Sequence, residues 1–187
     1  MELRTPLSEN DVRKLRVGDT VYLSGDVITG RDEMHMRAIE HSRTGKPVPE
    51  GIRNSVLYHC GPIIVSDGKG WRAVAAGPTT SSRMDKLEGE MIKSFGIRAV
   101  IGKGGMSKEV GDAMREAGCA YLAAIGGTAV SLAESIAEVR GVEWEDLGMA
   151  EAMWKFRVGR MGPLIVAMDS EGGSLYENVR LKIVRII

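Results

Sequence analysis

Ala73-Val74-Ala75-Ala76-Gly77-Pro78-Thr79-Thr80-Ser81-Ser82-Arg83-Met84-Asp85 reads as a buried strand, a turn and the start of a helix. The apolar run stops at Gly77-Pro78. Met84, Leu87, Met91, Ile92 and Phe95 then recur on one helical face, and Gly96 supplies the stop. A turn of this kind presents free N–H groups and the positive end of a helix dipole. Two threonines, two serines and an arginine are added to them here, which makes the turn a candidate anion site. Arg83 in the first helical turn opposes the dipole, a mismatch that a negatively charged ligand would relieve. The same residues also fit an ordinary threonine N-cap beside a solvated arginine.

The segments that follow repeat this pattern. Arg98-Ala99-Val100-Ile101 is an apolar strand ending in Gly102-Lys103-Gly104-Gly105-Met106-Ser107, and a helix with Val110, Ala113, Met114 and Ala117 inward closes at Gly118. Cys119 to Ile125 is the next strand, followed by Gly126-Gly127-Thr128 and a short Ala-rich helix. Strand, helix, strand, helix, strand with short connections predicts parallel βαβ units. Ligands of such sheets lie beyond the carboxyl ends of the strands, where the turns 77–83, 102–107 and 126–128 would converge.

Upstream, Ser8-Glu9-Asn10-Asp11 resembles a capping box and predicts a short helix to about Leu15. Residues 21–28 have strand composition, with Gly25 marking a bulge or a close backbone approach. Asp32 to Ser42 reads as a helix with Arg31 at its start, residues 44–51 as a loop, and residues 56–58 and 63–65 as short strands. Downstream, residues 154–158, 164–168 and 181–187 read as strands, the first two separated by Gly159-Arg160-Met161-Gly162-Pro163. The expected architecture is one α/β domain over 1–187 with additional, partly antiparallel strands.

Lysine plus arginine and aspartate plus glutamate number 25 each among 187 residues, without a basic block. A nucleic-acid or anionic-membrane partner therefore has no electrostatic support. No run approaches a membrane span and the N-terminus lacks a signal-peptide core, so a cytoplasmic location is expected. Two cysteines, Cys60 and Cys119, lack CxxC spacing and argue against a disulfide framework or a self-contained metal site.

Residues 102–107 invite comparison with nucleotide-binding loops, and both comparisons fail. A Walker loop needs Ser or Thr directly after Lys103, where Gly104 stands, and a dinucleotide fingerprint needs Gly or Ala where Ser107 stands. Lysine among glycines still suits a small anion. Arg31, Thr79, Arg83 and Lys103 all fall at element boundaries. Three cations around one hydroxyl suit a small polycarboxylate, because arginine grips a carboxylate bidentately and lysine acts as a point charge.

Four motifs carry a resemblance: Thr29-Gly30-Arg31-Asp32-Glu33-Met34-His35, Tyr58-His59-Cys60-Gly61-Pro62, Gly77 through Asp85, and Ile101-Gly102-Lys103-Gly104-Gly105. With them the chain resembles the class I fumarate hydratase family, matching the β subunit of its two-subunit form, equivalent to the C-terminal domain of the single-chain form. It is similar also to the β subunit of L-tartrate dehydratase. The resemblance implies a swivelling β/β/α domain and reversible hydration of fumarate to L-malate. It implies a [4Fe-4S] cluster held by three cysteines of a partner α subunit, whose unique iron acts as Lewis acid on the substrate. By motif, Thr79 would be the base at the substrate carbon, while Arg31, Arg83 and Lys103 would bind carboxylates. Two cysteines cannot supply three thiolates, which agrees with a cluster ligated by another chain.

A homodimer contact is a further expectation. Asp32, His35 and His59 stay open between structural and site roles, and Met34, Met36, Met84 and Cys60 read as packing residues. A tartrate or related dicarboxylate hydro-lyase is the enzymatic alternative. A non-catalytic anion-binding or assembly subunit is the alternative of another class.

Overall fold

A computed structural model describes residues 1–66, 68 and 70–184. In chain order the elements are β1 (Glu2–Arg4), α1 (Glu9–Val12), β2 (Thr20–Thr29), α2 (Asp32–Thr44), β3 (Val56–Tyr58), β4 (Ile63–Ser66) and β5 (Trp71–Ala75). A 3-10 turn at Ser81–Met84 leads into α3 (Asp85–Phe95), then β6 (Ala99–Gly102), α4 (Lys108–Ala117), β7 (Ala120–Ala123) and α5 (Ala129–Glu134). The chain continues with β8 (Ile136–Glu143), β9 (Met153–Met168) and α6 (Leu175–Val184).

Why β3, β6 and β7 are almost wholly apolar follows from what covers them. Alternate residues of a strand point to opposite faces, so an apolar residue at every position needs cover on both. Val56, Tyr58, Ala99, Ile101, Ala120 and Leu122 join one core with Leu23, Val27, Phe156 and Val158. Leu57, Val100 and Tyr121 join a second core, built with Met34 of α2, Met91 and Ile92 of α3, and Met114 of α4.

β2, β3, β6 and β7 pair in parallel in that order. β9 runs antiparallel to both β7 and β2, so the pairings close into a ring. β1 extends the sheet alongside β2, and β8 alongside β9. The fold is thus mixed α/β, with parallel and antiparallel strands. Among the described residues no helix is long and apolar enough to cross a membrane.

Four segments depart from the sequence reading. β5 does not join the parallel run; it pairs with β4 in a separate hairpin, and β3 is the parallel neighbour of β6. Trp71 and Arg72 are exposed, so β5 lacks the two-sided burial of the central strands. Residues 159–163 do not interrupt β9. Gly162 adopts φ 144°, and the register with β2 passes from Val21–Leu164 to Leu23–Met161, leaving one extra β9 residue. That bulge accommodates Gly162-Pro163 inside a strand. The edge strand β8 is half-exposed along its length and carries a weak apolar signal. Residues 181–184 belong to helix α6 rather than a strand, and 185–187 lie outside the described residues. Met36 is 45% exposed and is not a packing residue.

Candidate active site

After β5 the chain re-enters the main sheet. Pro78 bridges Cys60, and Thr80 bridges Lys103. The Thr79 N–H donates to the His59 carbonyl at 2.7 Å, and the Lys103 N–H donates to the Thr79 carbonyl at 3.2 Å. The Ser81 N–H then donates to the Lys103 carbonyl at 3.1 Å. Residues 78–81 are therefore threaded between the carboxyl ends of β3 and β6. Thr79 is held on both backbone sides and half-buried, while no described residue bonds its hydroxyl.

This threading depends on residues without side chains. A Cβ on Gly102 would lie 1.9 Å from Ser81 Oγ, and one on Gly77 would lie 3.1 Å from the Ala129 Cβ. The 3-10 turn that follows has Thr80 at its N-cap position with no side-chain cap bond, so the threonine-cap reading of this turn does not hold. Asp85 instead accepts the Ser107 N–H at 3.1 Å, tying the turn after β6 to the start of α3.

Arg31 occupies the N-cap position of α2. Its guanidinium is 3.2 Å from Glu151, and its Nε is buried with no hydrogen-bond partner among the described residues. Glu151 also accepts the Glu33 N–H at 3.1 Å. Arg83 donates to Asp32 at 2.8 Å. Two of the three expected cations are thus already paired with carboxylates of this chain. Lys103 is half-buried and has no ionic partner among the described residues. Thr79 and Lys103 are brought together by backbone pairing, whereas the Arg31 guanidinium turns to Glu151 and Arg83 turns to Asp32, the residue that follows Arg31 in the chain. A cavity of about 410 Å³ lined by Thr5, Asp26, Arg53, Asn54, Arg140 and Phe156 lies elsewhere and includes none of the four.

Beneath these turns lies a fully buried cluster of His35, Glu88 and His59. Both histidine Nε2 atoms are 2.9 Å from the same Glu88 oxygen. His35 Nδ1 is 2.7 Å from the Arg31 carbonyl, and His59 Nδ1 is 2.9 Å from Ser81 Oγ, itself 2.9 Å from the Tyr121 hydroxyl. Burial opposes a charge on His35, yet the Glu88 charge, its hydrogen bond and the Arg31 carbonyl outweigh it and raise the pKa. Burial prevails at His59 and lowers its pKa despite Glu88. At Glu88 burial is outweighed by the two rings, and the carboxyl is held low.

Sequence reading passes over Glu88, Tyr121 and Glu151, and takes Ser81 only as one of the hydroxyls of the candidate anion turn. For Glu88 the signal was present, since it lies four residues after Met84 and three before Met91, a carboxylate on the apolar stripe.

The cysteines do not fit a cluster site. Cys60 belongs to the core inside the ring and Cys119 to the core under the helices. Both are buried and free. Burial pushes the Cys60 thiol up to about 12 and raises Cys119 well above its ordinary value, against the thiolate that iron requires.

The sequence profile of the family described as Fumarase C-terminus matches residues 1–179. The chain belongs to that family. Among relatives of this Fumarase C-terminus chain, the L(+)-tartrate dehydratase subunit beta of Escherichia coli strain K12 is 40% identical over 185 residues, covering 96% of this chain and 88% of that one. A Methanocaldococcus jannaschii protein provisionally named L(+)-tartrate dehydratase subunit beta is 47% identical over 178 residues, covering 95% of this chain and 91% of that one. A Geobacillus stearothermophilus protein provisionally named fumarate hydratase class I is 43% identical over 178 residues; this chain corresponds to 34% of its length.

Proposed function

We propose that this Fumarase C-terminus chain is the β subunit of a two-subunit dicarboxylate hydro-lyase, a swivelling β/β/α domain whose substrate is fumarate, hydrated reversibly to L-malate. The observation that carries the reading is the threading of residues 78–81. It fixes the Thr79 backbone between two strand ends, leaves its hydroxyl without a bond from any described residue, and sets Lys103 beside it.

Thr79 is the group that moves the proton at the substrate carbon next to a carboxylate. Removing that proton builds negative charge on the carboxylate, so preorganised cations stabilise the transition state more than the ground state. Arg31, Arg83 and Lys103 supply them. A threonine hydroxyl is a weak base alone, and its activating neighbour comes from the partner. The described residues Cys60 and Cys119 do not fit a [4Fe-4S] cluster, and we place that cofactor on an α subunit. Ile125 and Val130, 60% and 62% exposed on either side of the 126–128 turn, support a partner covering this face.

A second reading, dehydration of L-tartrate, is favoured by the relatives named for that activity, whose lengths this chain nearly spans. The test is to co-purify the chain with its α subunit and offer fumarate, L-malate and L-tartrate separately. Turnover of fumarate and malate supports the first reading, and turnover of tartrate alone supports the second. A pair that carries the cluster and turns over none of them would refute both.

A further inference from the structure

The buried His35, Glu88 and His59 have a role of their own, because their hydrogen bonds fix where the protons sit. A carbonyl oxygen only accepts, so the His35 Nδ1 facing the Arg31 carbonyl carries a proton. His35 Nε2 and His59 Nε2 share one Glu88 oxygen, so a single carboxyl proton could bridge to only one of the rings and the other must donate. The proton between His35 and Glu88 rests on nitrogen. Imidazole is the stronger base by about two pKa units, and the second N–H, from His59, stabilises the carboxylate. A second imidazolium is disfavoured with the charged His35 ring only 5.3 Å away, centroid to centroid, so His59 Nδ1 is the acceptor of the Ser81 hydroxyl, which in turn accepts from Tyr121.

The ends of this network reach the turns that bear the proposed site. His35 holds the Arg31 carbonyl from both its ring and its backbone N–H. The His59 carbonyl accepts the Thr79 N–H, and Ser81 reaches Lys103 through its own N–H. Arg83 follows Ser81 by two residues in the same 3-10 turn. Other titratable groups around the cluster are Asp32, Asp85, Cys119 and Tyr121.

We propose that His35, Glu88 and His59 are positioning residues that form a proton-locked network, with His35 an imidazolium, Glu88 a carboxylate and His59 the Nε2–H tautomer, holding the Arg31 turn and the Thr79–Arg83 turn in fixed relation. The same three side chains have the residue types of a metal site, since their ligand atoms all lie within 4.8 Å of one another. Both Nε2 atoms that a metal would need are instead engaged with Glu88 Oε2, while Glu88 Oε1 is buried with no hydrogen-bond partner among the described residues. The positioning half of the inference rests on the proposed function; the protonation half does not.

The test is nitrogen NMR of the full chain labelled with ¹⁵N-histidine, with the three histidines assigned from single His→Gln variants. Between about pH 6 and 8, the range in which free imidazole titrates, His35 should keep both nitrogens protonated and His59 only Nε2. A neutral His35, a protonated His59 Nδ1, or resonances of both rings that move on adding Zn²⁺ would overturn the assignment. In Glu88→Gln, His35 should lose one proton, and a His35 that stays doubly protonated there also refutes it.

The wild-type spectrum decides the protonation half whether or not that variant folds. In the assembled pair, His59→Gln and Glu88→Gln should lower kcat about tenfold or more through misplaced turns. Folded variants with altered ring protonation and wild-type kinetics would overturn the positioning half. A wild-type pair that turns over no dicarboxylate counts against the proposed function and leaves the NMR result standing.

Discussion

Gly102→Ala adds a single methyl at the point where the two cores and the threaded turn meet. The φ of Gly102 is not in the left-handed region, so alanine is conformationally acceptable and any cost comes from contact. The added Cβ would lie 1.9 Å from Ser81 Oγ, 3.0 Å from the Tyr121 hydroxyl and 3.4 Å from His59 Nδ1. The Ser81 hydroxyl must rotate away, and both of its partners are buried. Each orphaned buried group costs about 1–3 kcal/mol, so the substitution should destabilise the chain by about 2–6 kcal/mol.

For a chain of this size that lowers Tm by roughly 5–20 °C. Thermal unfolding of wild type, Gly102→Ala, Ser81→Ala and the double variant measures it. Ser81→Ala removes the clashing atom, so the double variant should be no less stable than Ser81→Ala alone, within about 0.5 kcal/mol. A Gly102→Ala Tm equal to wild type, or simple additivity in the cycle, would refute the close-approach argument.

Thr79→Val keeps the β-branched shape and should lower turnover of the assembled pair about 10²–10⁴-fold with folding unchanged; turnover within a few fold of wild type would remove Thr79 from the chemistry. Arg83→Lys should weaken kcat/KM by the roughly 1.5–3 kcal/mol of a charged hydrogen bond, because an ammonium cannot form a bidentate fork; unchanged kinetics would place Arg83 outside the site. Native Cys60 and Cys119 should resist alkylation at about pH 8, where a free thiol of ordinary pKa reacts, and react once the chain is unfolded; mass spectrometry of the labelled protein checks both. Stability should peak near pH 6.5, the ordinary histidine pKa. The raised pKa of His35 gives stabilisation present below that value and lost as pH rises, while the lowered pKa of His59 gives stabilisation present above it and lost as pH falls. Tm measured from about pH 5 to 9 should lose its alkaline slope in His35→Gln, and an unaltered slope would contradict the His35 contribution.

The sequence alone determined the local elements whose cause is local. Ser8 and Asp11 make the capping box that starts α1, and Gly45, Gly96 and Gly118 end α2, α3 and α4 in the left-handed conformation. The apolar runs 56–58, 99–101 and 120–122 mark the strands buried on both faces, and the turns that end or follow β2, β5 and β6 carry the residues of the proposed site. What the sequence left undecided were pairings between distant segments. Strand β5 and the central strands read alike because pairing is chosen by neighbours far along the chain, and Gly162-Pro163 looks like a break until a bulge against Val21–Leu23 absorbs it.

The polar core was hidden for the same reason. His35, His59, Glu88, Ser81 and Tyr121 come from two helices, two strand segments and a turn, at separations from 7 to 86 residues along the chain. A buried charge is tolerable only where its partners converge in space. Sequence shows the carboxylate of Glu88 on an apolar stripe; only the tertiary structure supplies the two imidazoles that let it stay there.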